Sequence, residues 1–205
     1  MSEKPILFSG EMVRAILEGR KTQTRRVMKV QPEKQGGGWM YDGQYFVSDE
    51  DMQSHLFHNV YGDKGSPYGA SYADGTADRL WVRETWNAQN PGRQWWHEVA
   101  PGNRILHNWA WTNPIRPAFD AIPDRWLPSI HMPRAASRIT LEIVNVRVER
   151  IQHITCADAG AEGVNGDSDA EVYVNFQDLW DHINTPRGYG WDVNPWVWVI
   201  EFKVV

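Results

Sequence analysis

Apolar positions change their period several times along the chain, and each change marks an element. Met12, Val13, Ile16 and Leu17 share one face at helical spacing. Ser9 stands ahead of them as an N-cap, Glu11 suits the first turn, and Gly19 follows as a left-handed stop, which predicts a short helix over 9–18. Lys21 to Val30, rich in Thr and Val with charges interleaved, predicts a strand. Across 31–77 no period survives; Gly36-Gly37-Gly38 and Gly65-Ser66-Pro67 punctuate a loop-rich insertion suited to a lid, with a short hairpin around Trp39 to Val47. Strand character returns from Leu80 to Trp86. It is lost again across 91–136, where prolines recur, apart from a strand-like Arg104 to Thr112.

The last third is the most regular. Ile139, Leu141 and Ile143 alternate with polar residues, then Val144, Val146 and Val148 alternate in the opposite phase; the slip predicts a β-bulge in one long strand or a break between two. Thr155 with Asp158 forms a capping-box-like start to a short helix that reaches Glu162 and ends at Gly163. A second helix is expected from about Asp169 to Asn184, with Val172, Phe176, Leu179, Trp180 and Ile183 on one face. Trp196 to Val204 is apolar on both faces, as a buried strand should be. This order predicts a single α+β domain over 1–205 with a mainly antiparallel, closed sheet and loop-rich insertions at about 31–77 and 91–136.

Composition changes the picture in two places. Twelve tryptophans in 205 residues exceed common usage, which calls for core filling in a small barrel or for stacking platforms. The formal charge of −5 argues against bulk capture of nucleic acid. Between 14 and 34, however, Arg14, Arg20, Lys21, Arg25, Arg26, Lys29 and Lys34 face only Glu18 and Glu33. A local basic site on an acidic body fits a small anionic or nucleotide ligand better than a long duplex. The single cysteine, Cys156, rules out an intramolecular disulfide and fits a reducing compartment. Met1-Ser2-Glu3-Lys4-Pro5 lacks a signal-peptide layout, and no apolar run approaches the roughly 20 residues that span a bilayer, so a cytoplasmic location is expected.

Candidate chemistry concentrates in three segments. In Gly19-Arg20-Lys21-Thr22-Gln23-Thr24-Arg25-Arg26, a lysine crowded by arginines has its charged form disfavoured, so that it can deprotonate a nearby hydroxyl, which Thr24 supplies. Residues 21 and 24 of one regular strand point to opposite faces, so Lys21 must lie before the strand or the strand must be bulged. In Arg79 to Trp86, alternation sets Trp81, Arg83 and Thr85 on one side, with Leu80, Val82 and Glu84 on the other. Arg83 can hold a phosphate or base edge and Trp86 can stack a base; a surface Arg83–Glu84 pair over a core tryptophan is the competing account. Glu162 closes a helix where the dipole disfavours a carboxylate, a placement suited to a proton donor. The histidines offer no metal spacing beyond His55 and His58, Cys156 reads as a structural thiol, and no metal or organic cofactor is expected.

Four ordered blocks resemble a known family. Ile16 to Arg26, Asp78 to Trp86, Ser137 to Gly163 and Trp191 to Phe202 are similar to the signature segments of phage- and prophage-type ASCH domains, a branch of the PUA-like barrels. The resemblance implies a PUA-like β-barrel with flanking short helices and a cleft for a modified nucleoside or single-stranded RNA. Small bacterial members are amidohydrolases that deacetylate N4-acetylcytidine, and their lysine, threonine and glutamate correspond here to Lys21, Thr24 and Glu162. Arg20, Arg26, Arg83, Glu84 and Trp86 are then the expected substrate-binding set. Other members bind RNA without catalysis or act as ribonucleases, so those two activities stand as alternatives.

Overall fold

The computed structural model describes residues 3–41, 43–48, 79–89, 94–100, 103–108 and 127–205. Expectations that fall elsewhere, including the His55/His58 pair and most of the lid, lie outside the described residues. The fold is mixed α+β around a five-stranded sheet. Its strands are β1 (Glu3–Leu7), β2 (Gln23–Val27), β6 (Arg79–Arg83), β10 (Thr140–Arg150) and β11 (Trp196–Val204), in the order β1-β6-β10-β11-β2. Only β1 and β6 run parallel; the other pairings are antiparallel. Among the described residues, β2 therefore ends the sheet, with β11 as its sole partner in it.

Two three-stranded antiparallel sheets occupy parts of the expected insertions. One comprises β3 (Glu33–Gln35), β4 (Gly38–Tyr41) and β5 (Gln44–Phe46); the other comprises β7 (Trp86–Gln89), β8 (Gln94–Ala100) and β9 (Asn103–Asn108). The hairpin expected near residues 39–47 is thus present as β4–β5. Regular pairing also covers 33–35 and 94–100, where glycines and prolines had suggested loops. The strand expected over 80–86 ends at Arg83, with Trp86 opening β7.

β11 is central because both its faces are covered. Trp196, Trp198, Ile200 and Phe202 enter one core with Phe8, Ile16, Leu80, Leu141 and Val146. Val197 and Val199 enter a second core with Ile151, Phe176, Trp180 and Trp191. Fully burying an Ile or Phe side chain contributes about 1.5–3 kcal/mol, so this strand anchors both layers. The ladder between β10 and β11 shifts register between Ile143 and Asn145, which is the bulge that the phase slip predicted. The tryptophans whose burial is described mostly fill the core: Trp196 is fully buried and meets Trp39 edge-on at 5.7 Å.

Among the described residues, three α-helices flank the sheet. α1 (Gly10–Leu17) is capped by Ser9, whose hydroxyl accepts from Met12 N–H. α2 (Cys156–Ala161) is capped by Thr155 through Asp158 N–H, with Glu162 at its C-cap. α3 (Asp169–Asn184) turns Phe176 and Trp180 into the second core.

Candidate functional site

The strand expected from Lys21 begins only at Gln23. Lys21 lies ahead of it in an isolated antiparallel bridge to Glu162. That placement resolves the parity conflict: a residue outside the strand escapes its alternation, and Lys21 and Thr24 line the same cleft. The turn after α1 sets the position, since Lys21 N–H donates to Ala15 O at 3.0 Å. Gly163 permits the close approach from the other side. Its φ is +86°, and a Cβ there would stand 2.8 Å from Ala15 Cβ and 3.0 Å from Lys21 Cβ.

Lys21 Nζ donates to Glu162 Oε2 at 2.9 Å and to Glu162 O at 2.7 Å. The two residues are 3% and 5% exposed. Burial lowers the Lys21 pKa below the usual lysine range; the Glu162 carboxylate and its hydrogen bond oppose that shift, and Arg26 and Arg25 reinforce it. Phe8 lies 5.5 Å from Nζ, measured to its ring centroid. Thr24 is also buried, and among the described residues its hydroxyl has no hydrogen-bond partner. These two bonds use two of the three directions at Nζ, and among the described residues the third has no hydrogen-bond partner.

Glu162 has a second anchor. Its Oε1 accepts from Arg25 Nη1 at 3.1 Å, and Arg25 also pairs with Glu149 and with Asp158 Oδ2 at 3.4 Å. Asp158 is further held by Gln23 Nε2 at 3.0 Å and Arg147 Nη2 at 3.2 Å. Burial of Asp158 works against ionisation, but the Gln23 hydrogen bond, Arg25, the Thr155 hydroxyl and Arg147 together keep its pKa below the usual carboxylate range. This network holds α2 against the sheet and fixes the Glu162 carboxyl.

The cleft has a volume of about 360 Å³, within the span usual for small-molecule sites. Leu7, Phe8 and Met12 form one wall, and Phe176, Trp180 and Ile183 of α3 form the other. Arg26, His182 and Arg187 also border it; Arg26 Nη2 donates to Leu7 O at 2.7 Å and its guanidinium lies 5.4 Å from the Phe8 ring.

The structure brings together Lys21, Thr24, Glu162 and Arg26. It places the other expected residues elsewhere. Arg20 bonds Glu18, Gly163 O and Asn165, bracing the turn beside the cleft without lining it. Arg83 donates to Ile130 O and stacks 4.7 Å from the Trp81 ring. Glu84 is 1% exposed and accepts a bidentate pair from Arg138 at 3.0 and 3.1 Å. Trp86 packs with Met132 and Ala136 in a separate small core. Neither the surface Arg83–Glu84 pair nor base stacking on Trp86 fits this placement: one side chain is sealed by a distant arginine, the other by its own cluster.

Residues missed by sequence reasoning are Arg25 and the cleft-facing side of α3. The α3 apolar series carried a signal, because Ile183 is 50% exposed while sharing the face of Phe176 and Trp180. For Arg25 nothing local distinguished it from its cationic neighbours. Among the described residues, no cluster of three or more His, Cys, Asp or Glu is placed to hold a metal ion, and no helix is long and apolar enough to cross a membrane. Comparison with protein-family models, curated proteins and solved structures finds no match for this chain.

Proposed function

We propose that this chain is an ASCH-type, PUA-like domain acting as an amidohydrolase on an N4-acylated cytidine-type nucleoside. The observation that carries the reading is the buried contact between Lys21 and Glu162, 141 positions apart, on the cleft that Thr24 also lines. Proton transfer along the Lys21–Glu162 hydrogen bond yields an amine and a carboxylic acid without changing total charge. Rotation about Cε–Nζ turns the amine lone pair from Glu162 to Thr24, and the amine takes the Thr24 proton as Oγ1 attacks the acetyl carbonyl, with Arg26 facing the developing oxyanion. Collapse breaks the carbon–nitrogen bond while Glu162 protonates the departing exocyclic nitrogen. Water, deprotonated by the Glu162 carboxylate, then hydrolyses the threonyl ester, while the Lys21 ammonium returns its proton to Thr24. Cytidine and acetate leave, and Glu162 and Lys21 regain their starting protonation.

The test is incubation with N4-acetylcytidine, following acetate release. Turnover is expected, falling by about 10²–10⁴-fold in Lys21→Ala and to background in Thr24→Ala. Absence of turnover, or turnover unchanged from wild type in Lys21→Ala and Thr24→Ala, removes the hydrolase reading. Binding without turnover then favours a recognition module, and cleavage of single-stranded RNA that Glu162→Ala abolishes favours a ribonuclease.

A further inference from the structure

Among the described residues, the outer edge of β2 is open. Met28 N–H donates to Trp196 O at 3.1 Å, and the ladder pairs Arg26 with Trp198 and Thr24 with Ile200. Hydrogen-bonded positions of an antiparallel ladder recur every second residue, so Thr24 and Arg26 spend their main-chain groups on β11. Those of Arg25 and Val27 aim outward. Among the described residues they have no hydrogen-bond partner, although Arg25 is only 5% exposed and both residues border the cleft. Main-chain polar groups at buried positions are almost always paired, so this pair calls for water or a ligand.

We propose that Arg25 C=O and Val27 N–H read the base, the carbonyl accepting from the exocyclic N4–H and the amide donating to ring N3 of an acylated cytosine. The inference rests on the amidohydrolase reading and deepens it by naming what selects the base. An extended chain offers C=O of one residue and N–H of the next but one as an acceptor–donor pair. The amidine edge of cytosine, a donor beside an acceptor in one plane, is its complement. Such an arrangement orients the base with its acyl group free of the strand, and Thr24 belongs to the same strand between the two reading groups and the Lys21–Glu162 pair. A peptide strand suits this edge poorly. The edge is short, five residues in all, and the chain just before it is covered where Thr22 N–H donates to Ala161 O.

The test combines a main-chain change with a ligand change. Val27→Pro deletes the outward N–H and no ladder bond, a substitution that edge strands tolerate. Binding is measured by calorimetry in a Thr24→Ala background, so that hydrolysis does not intervene, with N4-acetylcytidine and its 3-deaza analogue, which lacks the N3 acceptor. Without the proline, N4-acetylcytidine should bind about two- to tenfold more tightly than the analogue. Val27→Pro should weaken N4-acetylcytidine by a similar factor and leave the analogue unmoved. Equal loss for both ligands, or equal affinity of the unsubstituted edge for both, overturns the proposal. Should the proline variant fail to fold, the second comparison decides alone. Discrimination between the ligands with no acetate release from the wild-type chain sinks the amidohydrolase reading and spares the edge. Acetate release without discrimination does the reverse, and no binding of either nucleoside removes both.

Discussion

Two of the buried ion pairs among the described residues differ in a way that shows what separates a candidate site from a strut. Arg138–Glu84 and Lys21–Glu162 are both short, and both join residues distant in the sequence. In the first pair, two parallel hydrogen bonds join a planar guanidinium to a carboxylate that is almost wholly sealed. Glu84 N–H meanwhile approaches Met132 Sδ at 3.3 Å, so sulfur closes the surroundings. In the second, Nζ keeps a third direction without a hydrogen bond among the described residues, and a buried hydroxyl, also without a partner among them, lines the same cleft. Burial and charge pairing are common to both. Unused hydrogen-bonding capacity next to an empty volume belongs to one.

The largest expected effect separates the two by stability. Arg138→Met leaves Glu84 buried without its guanidinium and should cost about 3–5 kcal/mol in urea unfolding. Turnover per folded molecule should stay near the wild-type value. A loss of turnover as large as that in Lys21→Ala would erase the distinction drawn here.

A second effect sharpens it through pH. The folded-state pKa of Lys21 lies below the ordinary value of about 10.4. Between those two values the unfolded chain binds more protons, so native stability rises with pH across that window; below it the cost of burying the charge is present in full. Wild type and Lys21→Met, unfolded in denaturant at a series of pH values, should therefore diverge in slope on the alkaline side. Parallel curves would mean that the amine feels no desolvation. Arg138, always charged, should give no such divergence.

The smallest effect comes from an exposed pair that serves as a baseline. Arg134 contacts Glu3 at 2.7 Å, and that hydrogen bond holds the Glu3 pKa below the usual carboxylate range against a small opposing cost of burial. Both side chains are more than a third exposed, so Arg134→Ala should cost at most about 1 kcal/mol. Because the folded pKa is depressed, the contribution is present above the ordinary value of about 4.3 and lost as pH falls through the folded one. A cost above 2 kcal/mol at neutral pH would show that solvent screening is weaker here than assumed.

What the chain reveals without coordinates is what short-range chemistry decides. Ser9 and Gly19 frame α1, Thr155 and Gly163 frame α2, and the slip after Ile143 locates the bulge, because each depends on neighbours a few residues away. Alternation even set Glu84 beside Leu80 and Val82, on what proves to be an inward face. Its partner Arg138 could not be read, since nothing local links positions separated by 54 residues. The same limit hid Arg25, whose three carboxylate partners come from β10 and α2. Closure of the main sheet into a barrel was expected, whereas the described strands pair in a row that begins at β1 and ends at β2.

The pairing of β2 with β11 has a consequence for synthesis. Among the described residues, the strand bearing Thr24 finds its only sheet neighbour in residues 196–204, made long after it, and Glu162 also arrives late. Closing such distant contacts is slow. A nascent or C-terminally shortened polypeptide therefore carries Lys21 and Thr24 on an unmoored segment. Whatever this cleft does begins only once residues 196–204 have joined the sheet.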